Sequence, residues 1–502
     1  MTGLRRHRRE WRSLWVATIC TVVVAAGACT TTPTDHSVPH VELVGSGFEL
    51  SWPATAPAGA TYVVERMGVG PSSPHGWTRV AATASTSATD TGVVVGDTYM
   101  YRLGVGSNGS TPKTWSISVR STFVTPTLPV LRISTTGHAP VTSTDVYVPG
   151  TVAVEANGSP YQGFTAAVAQ VRARGNSTAA AEKKPYKVKL DKKASVLGLP
   201  AEKDWVLLAN WFDRSNLRNV AALDIGAMVM PTWTPHHRLV EVVLNGDYRG
   251  VYLLTEQVEV GPDRVAVTEM TPQDVTGDAV TGGYLIEVDA RLEENHEPGF
   301  RSSMNVPVVV KDPEPAEPQQ MAYIRSWVDD VERRLRSPDR ADPTKGYRAV
   351  LDEESLVDWY LVQEVTRNQD VGFSSAFLHK DRGGILRFGP LWDFDLSIGS
   401  QRGVAPQPVD GWQARTRMPW GQYLFQDPTL ITAISTRWAE VRDDVLAVAA
   451  TLPVLGASVS TATRSDAARW GPSPTPAADS PAFLRSWLEQ RVAWLDSQYP
   501  MP

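Results

Sequence analysis

Apolar and polar positions alternate in short runs near the start of the chain: Phe48-Glu49-Leu50-Ser51-Trp52, Tyr62-Val63-Val64-Glu65-Arg66, Trp77-Thr78-Arg79-Val80 and Trp115-Ser116-Ile117-Ser118-Val119, separated by Gly, Pro, Ser and Asn. Period-two alternation broken by turn residues predicts half-buried antiparallel strands, so residues 41–125 read as a small all-β sandwich with Trp52 in its core. Thr125-Pro126-Thr127-Leu128-Pro129 reads as a linker. From Val130 to about Asp289 the pattern is again strand-like, with runs over 186–190, 205–208, 240–244, 251–255 and 284–288. After about Gln319 the apolar spacing changes to three and four, predicting helices over 321–335 and 355–365, the second started by Asp352 or Glu354. A strand pair over 375–379 and 385–388 follows, then helical patterns over 428–451 and 482–496. No internal repeat is present. Strands followed by helices with an embedded hairpin predict a two-lobed α+β domain over 130–500 behind the sandwich.

Composition supports folded domains. Of the 502 residues, 42% are hydrophobic and 20% charged, which is enough apolar material for sizeable cores. A net charge of -6 gives no support to a nucleic-acid surface. The N-terminus adds a targeting signal: Arg5, Arg6, His7, Arg8, Arg9 and Arg12 precede an uncharged apolar run from Leu14 to Ala28. That run is short for a spanning helix, which needs about 20 apolar residues, and has the length of an export signal. It ends Ala26-Gly27-Ala28-Cys29 before a Thr/Pro-rich stretch, which resembles a bacterial lipobox, with Ala26 where Leu is commoner. The resemblance implies residues 1–29 as signal peptide, 30–40 as linker, and a lipid on Cys29 holding an exported protein to the outer face of the membrane. Cys20 and Cys29 are the sole cysteines, so the folded domains can hold no disulfide framework and no cysteine nucleophile.

Candidate chemistry concentrates late in the chain. Thr366-Arg367-Asn368-Gln369-Asp370 follows a helix, and Gly389-Pro390-Leu391-Trp392-Asp393-Phe394-Asp395-Leu396 follows a strand. Phosphoryl transfer can use this set, with one carboxylate orienting a hydroxyl and others holding Mg2+. Spacing alone equally allows Asp393 and Asp395 to be turn or surface acids.

Resemblance goes further. Arg174-Gly175-Asn176-Ser177-Thr178, Lys183-Lys184-Pro185-Tyr186-Lys187, 205–210, Arg214-Ser215-Asn216-Leu217-Arg218-Asn219, 244–257, 282–287, 368–370 and 392–395 resemble, in order, the motifs of the CotH family. The segment Gly96 to Leu103 resembles the tyrosine-corner strand of fibronectin type III domains. CotH proteins are secreted or spore-coat atypical protein kinases, so the resemblance implies ATP, Mg2+ or Mn2+, and a protein Ser/Thr acceptor.

Carried over, it implies Asp370 as the catalytic acid/base, Asp393 as a metal ligand, and Asp395 and Asn368 as further metal contacts. Lys183 is the expected phosphate-contacting lysine, with Lys184 and Lys187 as rivals. Arg174 and Arg218 are expected at phosphate or in structural ion pairs, and Glu256 beside the lysine or a metal. The chain departs from ordinary kinases in having no Gly-x-Gly-x-x-Gly loop, Walker A pattern or His-Arg-Asp string. The competing expectation is a non-catalytic surface scaffold used as an adhesin or envelope component; transfer to a glycan or small molecule is a third.

Overall fold

A computed structural model describes residues 39–69, 76–107, 111–116, 119–401 and 405–499. Residues 1–29, expected to be a signal peptide ending at Cys29, lie outside these residues. The N-terminal part is built from seven strands, β1 (His40–Val44), β2 (Gly47–Ser51), β3 (Ala60–Val69), β4 (Thr78–Thr83), β5 (Ser87–Asp90), β6 (Thr98–Ser107) and β7 (Val119–Thr122). They form a three-stranded sheet, β1-β2-β5, and a four-stranded sheet, β4-β3-β6-β7. The alternating apolar residues Phe48, Leu50, Trp52, Tyr62, Val64, Tyr101 and Leu103 fill the space between them. Tyr101 donates to Asp90 at 2.7 Å, and Asp90 also pairs with Arg66, so the one buried acid of this core is fully engaged. The Tyr99 hydroxyl accepts from the backbone N–H of Val94 at 2.9 Å. The strand expected over 115–119 lies later, at 119–122. Trp115 makes only an isolated bridge to Gly104, and 117–118 are outside the described residues.

Next comes a closed seven-stranded barrel: β8 (Val130–Thr135), β9 (Val148–Glu155), β10 (Phe164–Ala173), β11 (Tyr186–Ala194), β12 (Glu202–Leu208), β13 (His237–Leu244) and β14 (Asp247–Glu256). Its order is β10-β11-β12-β14-β13-β8-β9, and the β8–β13 pair is parallel while every other pair is antiparallel. Alternation sends Tyr186, Val188, Leu190, Trp205, Leu207, Tyr252 and Leu254 inside the barrel. Val206, Leu208 and Leu253 face outward into a second, larger core.

That second core is shared with α1 (Arg218–Val229), the sheet of β15 (Tyr284–Val288), β16 (Gly299–Arg301), β17 (Pro307–Asp312), β18 (Ala376–Lys380) and β19 (Arg387–Phe388), and the helices α2 (Pro318–Leu335), α3 (Glu353–Thr366), α4 (Ala414–Arg417), α5 (Gly421–Leu424), α6 (Pro428–Ser458) and α8 (Pro481–Gln498); between the last two, α7 (Ser460–Trp470) packs on β14 through Asp466 and Arg469 instead. The sheet runs β16-β17-β15-β18-β19. Helix starts follow local chemistry: Asp352, Asp427 and Ser480 each accept a backbone N–H of the first turn, and Pro428 and Pro481 stand at the first helical position. Among the described residues no single helix is long and apolar enough to cross a membrane.

The N-terminal sandwich is joined to the barrel through side chains as well as the linker. Val130, Val243 and Tyr248 of the barrel belong to the sandwich core. Leu43 N–H donates to Gly246 O at 3.2 Å, and Gly246, at φ +77°, leaves no room for a Cβ, which would lie 2.4 Å from Val41 O. The linker is pinned by buried Glu241, whose carboxylate accepts from Thr127 N, Leu128 N and Tyr248 Oη.

Candidate active site

A cleft of about 840 Å³ opens between the outer wall of the barrel, the β15–β17 sheet and the loops after α3 and β19. Asp370, Asp393, Asp395 and Arg174 all line it. Four of the residues singled out in the sequence are therefore brought together from segments about two hundred positions apart.

Their placement is fixed by a lattice of backbone contacts. Arg367 ends α3 in the left-handed region at φ +54°, turning the chain into the Asp370 loop. Asn368 bridges the two acidic loops: its Oδ1 accepts from Asp370 N at 3.1 Å and its Nδ2 donates to Asp393 O at 3.2 Å. Gln369 N donates to Leu396 O and Ile398 N to Thr366 O, so the loops run side by side. Leu391, Trp392 and Phe394 anchor the second loop in the core, and Asp393 between them adopts φ +64°. Asn219 of α1 accepts from Phe394 N at 2.8 Å, which gives the Arg214–Asn219 motif a structural purpose here.

Charge in the cleft is dense and mixed. The Arg174 guanidinium lies over the Trp392 ring at 5.4 Å. Burial pulls its pKa down, and the nearby Asp393 and Glu287 carboxylates oppose that. Burial also pushes Glu287 and Asp289 up, with Lys311 opposing both. Glu259, on the barrel side, is pushed up to about 7 by burial against the pull of Arg264. Asp312, at the end of β17, rises to about 6 for the same reason.

Other expected residues stand elsewhere. Lys183 precedes β11 and turns away from the cleft: its Nζ is buried, 2.6 Å from both Asp466 Oδ1 on α7 and Val251 O, where it ties α7 to the barrel. Lys184 donates to Ala179 O and Ala181 O, closing its own loop. Strand alternation instead presents Lys187 to the cleft wall, paired with Asp204 at 3.0 Å. Arg218 is wholly buried between Asp213 and Asp479, each at 2.6 Å, so its structural alternative is the one realised. Glu256 partners neither a lysine nor the acidic loops; its Oε2 accepts from Trp233 Nε1 and His236 N and lies 3.0 Å from His236 Nδ1. Asn368 uses its amide to position the Asp370 and Asp393 backbones, and its Oδ1, which accepts one hydrogen bond, keeps a second lone pair.

Cleft residues given no role from sequence include Glu287, Lys311, Arg172 and Arg291. One available signal was a charged residue closing an apolar run, as in Val308-Val309-Val310-Lys311.

Residues 171–495, more than half the chain, match the family described as CotH kinase protein. The chain belongs to the CotH family. Among solved structures, the CotH chain aligns at 10% identity with a titin kinase structure with its flanking domains, covering 49% of this chain and 42% of that one, with a TM-score of 0.14. It aligns with the twitchin kinase region from C. elegans at 10% identity over 93% of this chain and 71% of that one, with a TM-score of 0.18. The chain thus spans under half the length of the titin structure, and superpositions this loose assign no fold. No curated protein matches it.

A divalent cation suits the donor set. Among the described residues no three or more His, Cys, Asp or Glu side chains form a metal cage. Mg2+ is commonly held by one or two carboxylates together with phosphate oxygens and waters, and Asp393 and Asp395 supply that number of carboxylates beside cationic groups.

Proposed function

We propose that this CotH protein is a divalent-metal-dependent kinase that moves the γ-phosphoryl group of ATP to a Ser or Thr hydroxyl of a protein acceptor. The observation that carries this reading is the convergence of Asp370, Asp393 and Asp395, with Arg174, on one cleft built from the family's motifs.

In this reading Asp370, on a rigid turn after α3, accepts or orients the proton of the attacking hydroxyl. Asp393 and Asp395 hold the cation, which when bound neutralises charge on the transferring phosphoryl group. Arg174 supplies positive charge from the barrel side, over the Trp392 ring. Asn368 keeps the base loop and the metal loop in register.

The wider assignment is an exported lipoprotein anchored through Cys29, with a fibronectin type III-like sandwich and a two-lobed kinase-like domain. Support for the sandwich is the Tyr99 hydroxyl closing back on Val94, the geometry of a tyrosine corner. Support for the lobes is the position of the cleft between a barrel and a helix-rich part.

The test is transfer of labelled γ-phosphate to the protein itself or a Ser-containing acceptor, with Mg2+ or Mn2+, in wild type, Asp370→Asn and Asp393→Asn. Transfer by wild type that is lost in both folded variants supports the reading. Absence of both transfer and metal-dependent ATP binding in wild type replaces it with the non-catalytic scaffold.

A further inference from the structure

The cleft contains a lysine that the sequence motifs did not suggest and whose surroundings set it apart. Lys311 lies near the end of β17 at a break in register: Leu285 pairs with Asp312 and Ile286 with Val310, so Lys311 is the extra, bulged residue. A bulge re-aims a side chain, and bulges recur beside active sites. Lys311 Nζ is thereby directed to two carboxylates, Glu287 Oε2 at 3.1 Å and Glu297 Oε2 in close contact.

The two carboxylates differ in how they are held. Glu287 belongs to β15 and is buried, and its Oε1 accepts from Ser375 N at 2.9 Å, which ties it to the chain just beyond Asp370. Glu297 belongs to the segment 289–298 between β15 and β16, and its side chain is 26% exposed. That segment crosses to the barrel side through Asn295 Nδ2 to Asn176 Oδ1 at 3.2 Å, two residues beyond Arg174. Glu287 is also within electrostatic reach of Arg174, which in turn faces Asp393. Lys311 is therefore one partner removed from the groups that face the acidic loops.

Other cleft cations are committed. Lys187 pairs with Asp204, Arg172 donates to Thr144 O and lies over Tyr147, and Arg291 lies over Phe373. Lys311 combines one fixed carboxylate with one on a connecting segment, and an ammonium has three donors to share between them.

We propose that Lys311 is the cation that receives the polyphosphate of the nucleotide, with Glu287 as its permanent partner and Glu297 as a carboxylate that holds the phosphate's place until nucleotide displaces it. The assignment rests on the kinase reading and extends it. A phosphate oxygen replacing Glu297 keeps one rigid and one incoming anion on the same ammonium, so entry requires no unpaired buried charge. It also releases the 289–298 segment from Lys311, coupling nucleotide entry to movement of the chain that spans the cleft mouth.

Calorimetric titration of Mg·ATP into the full chain decides it. Glu297→Gln, a partly exposed and isosteric change, is expected to bind ATP about tenfold more tightly than wild type, because a charge-assisted competitor has been removed. Lys311→Met is expected to weaken binding at least about tenfold, and Lys311→Met/Glu297→Gln to bind no more tightly than Lys311→Met alone. Wild-type binding with unchanged or weaker affinity in Glu297→Gln overturns this assignment and leaves the kinase reading standing; should Lys311→Met not fold, this comparison decides alone. Wild type that binds no nucleotide with either Mg2+ or Mn2+ overturns both.

Discussion

Arg218 separates two ways of using a motif arginine, and its replacement by methionine gives a sharp test. The side chain is fully buried and donates five hydrogen bonds: to Asp213 and Asp479 at 2.6 Å, to Ala478 O at 2.7 Å, and to Ser397 O and Ile398 O at 3.0 and 3.3 Å. Burial works against the guanidinium, but the two carboxylates more than offset it and push its pKa up. Methionine keeps much of the volume while leaving Asp213 and Asp479 without their cation. Asp213 retains bonds from Ser215 and Arg218 N, and Asp479 retains Ser473 and Thr475, so neither is stripped bare. Breaking a buried pair on one side costs about 3–5 kcal/mol. With that residual support the middle of the range applies, about 4 kcal/mol, or roughly 4 °C in Tm for a chain of this size. The assay is thermal unfolding of Arg218→Met and of Arg218→Lys, the latter keeping the charge but not the fork and falling between. Arg218→Met that unfolds at the wild-type temperature and has lost nucleotide binding refutes the structural role and restores the phosphate contact expected from sequence.

Asn368→Ala removes the side-chain bonds to Asp370 N and Asp393 O while leaving every acid and the backbone links between the loops in place; transfer activity is expected to fall about a hundredfold in kcat, with Tm lower by only a few degrees, as read by labelled-phosphate kinetics and thermal unfolding. Burial holds the His237 imidazole neutral, down to about 4, so its contribution to stability is complete above pH 6.5 and is lost as pH falls toward 4. Asp224, 3.5 Å away, is held up to about 6 and acts in the opposite sense, but at 45% exposure it is the more screened of the two. His237→Gln is therefore expected to lose less Tm than wild type between pH 6.5 and 4.5, measured by thermal unfolding across that range. Gly246→Val places a branched side chain at φ +77° and against Val41 O, and is expected to cost about 2–4 kcal/mol by urea unfolding.

Elements with a clear period were legible. The alternation at 186–190, 205–208 and 251–255 and the three-four spacing at 321–335 and 355–365 correspond to β11, β12, β14, α2 and α3, with boundaries extended by a few residues. Missed elements lacked that period. In α1 nine of the twelve residues are buried, Arg218 and Asn219 among them, so no polar face marks it as a helix. The Ser-, Ala- and Arg-rich α7 buries Ser465, Asp466 and Arg469 as readily as apolar residues, because its partners are the polar β13–β14 turn and Lys183. Site residues followed the same logic. Asp370, Asp393 and Asp395 stand on loops whose ends were readable, and they reach one cleft. Lys183 was misdirected because it precedes its strand, where alternation does not yet govern direction. Lys311 was invisible because its aim depends on a bulge and on register with a strand more than twenty positions earlier, neither of which composition encodes.

The shared packing between sandwich and barrel bears on how the protein comes apart. Tyr248 and Val243, almost wholly buried, take their cover from the sandwich, and Glu241 takes two of its three hydrogen bonds from the linker. A chain shortened to begin at Val130 would uncover a tyrosine and a valine and leave a buried carboxylate short of donors. Sandwich and barrel are then expected to unfold as one cooperative unit, with a single heat-absorption peak for both in a calorimetric trace, and a destabilising change in β1 is expected to be felt in the wall of the cleft.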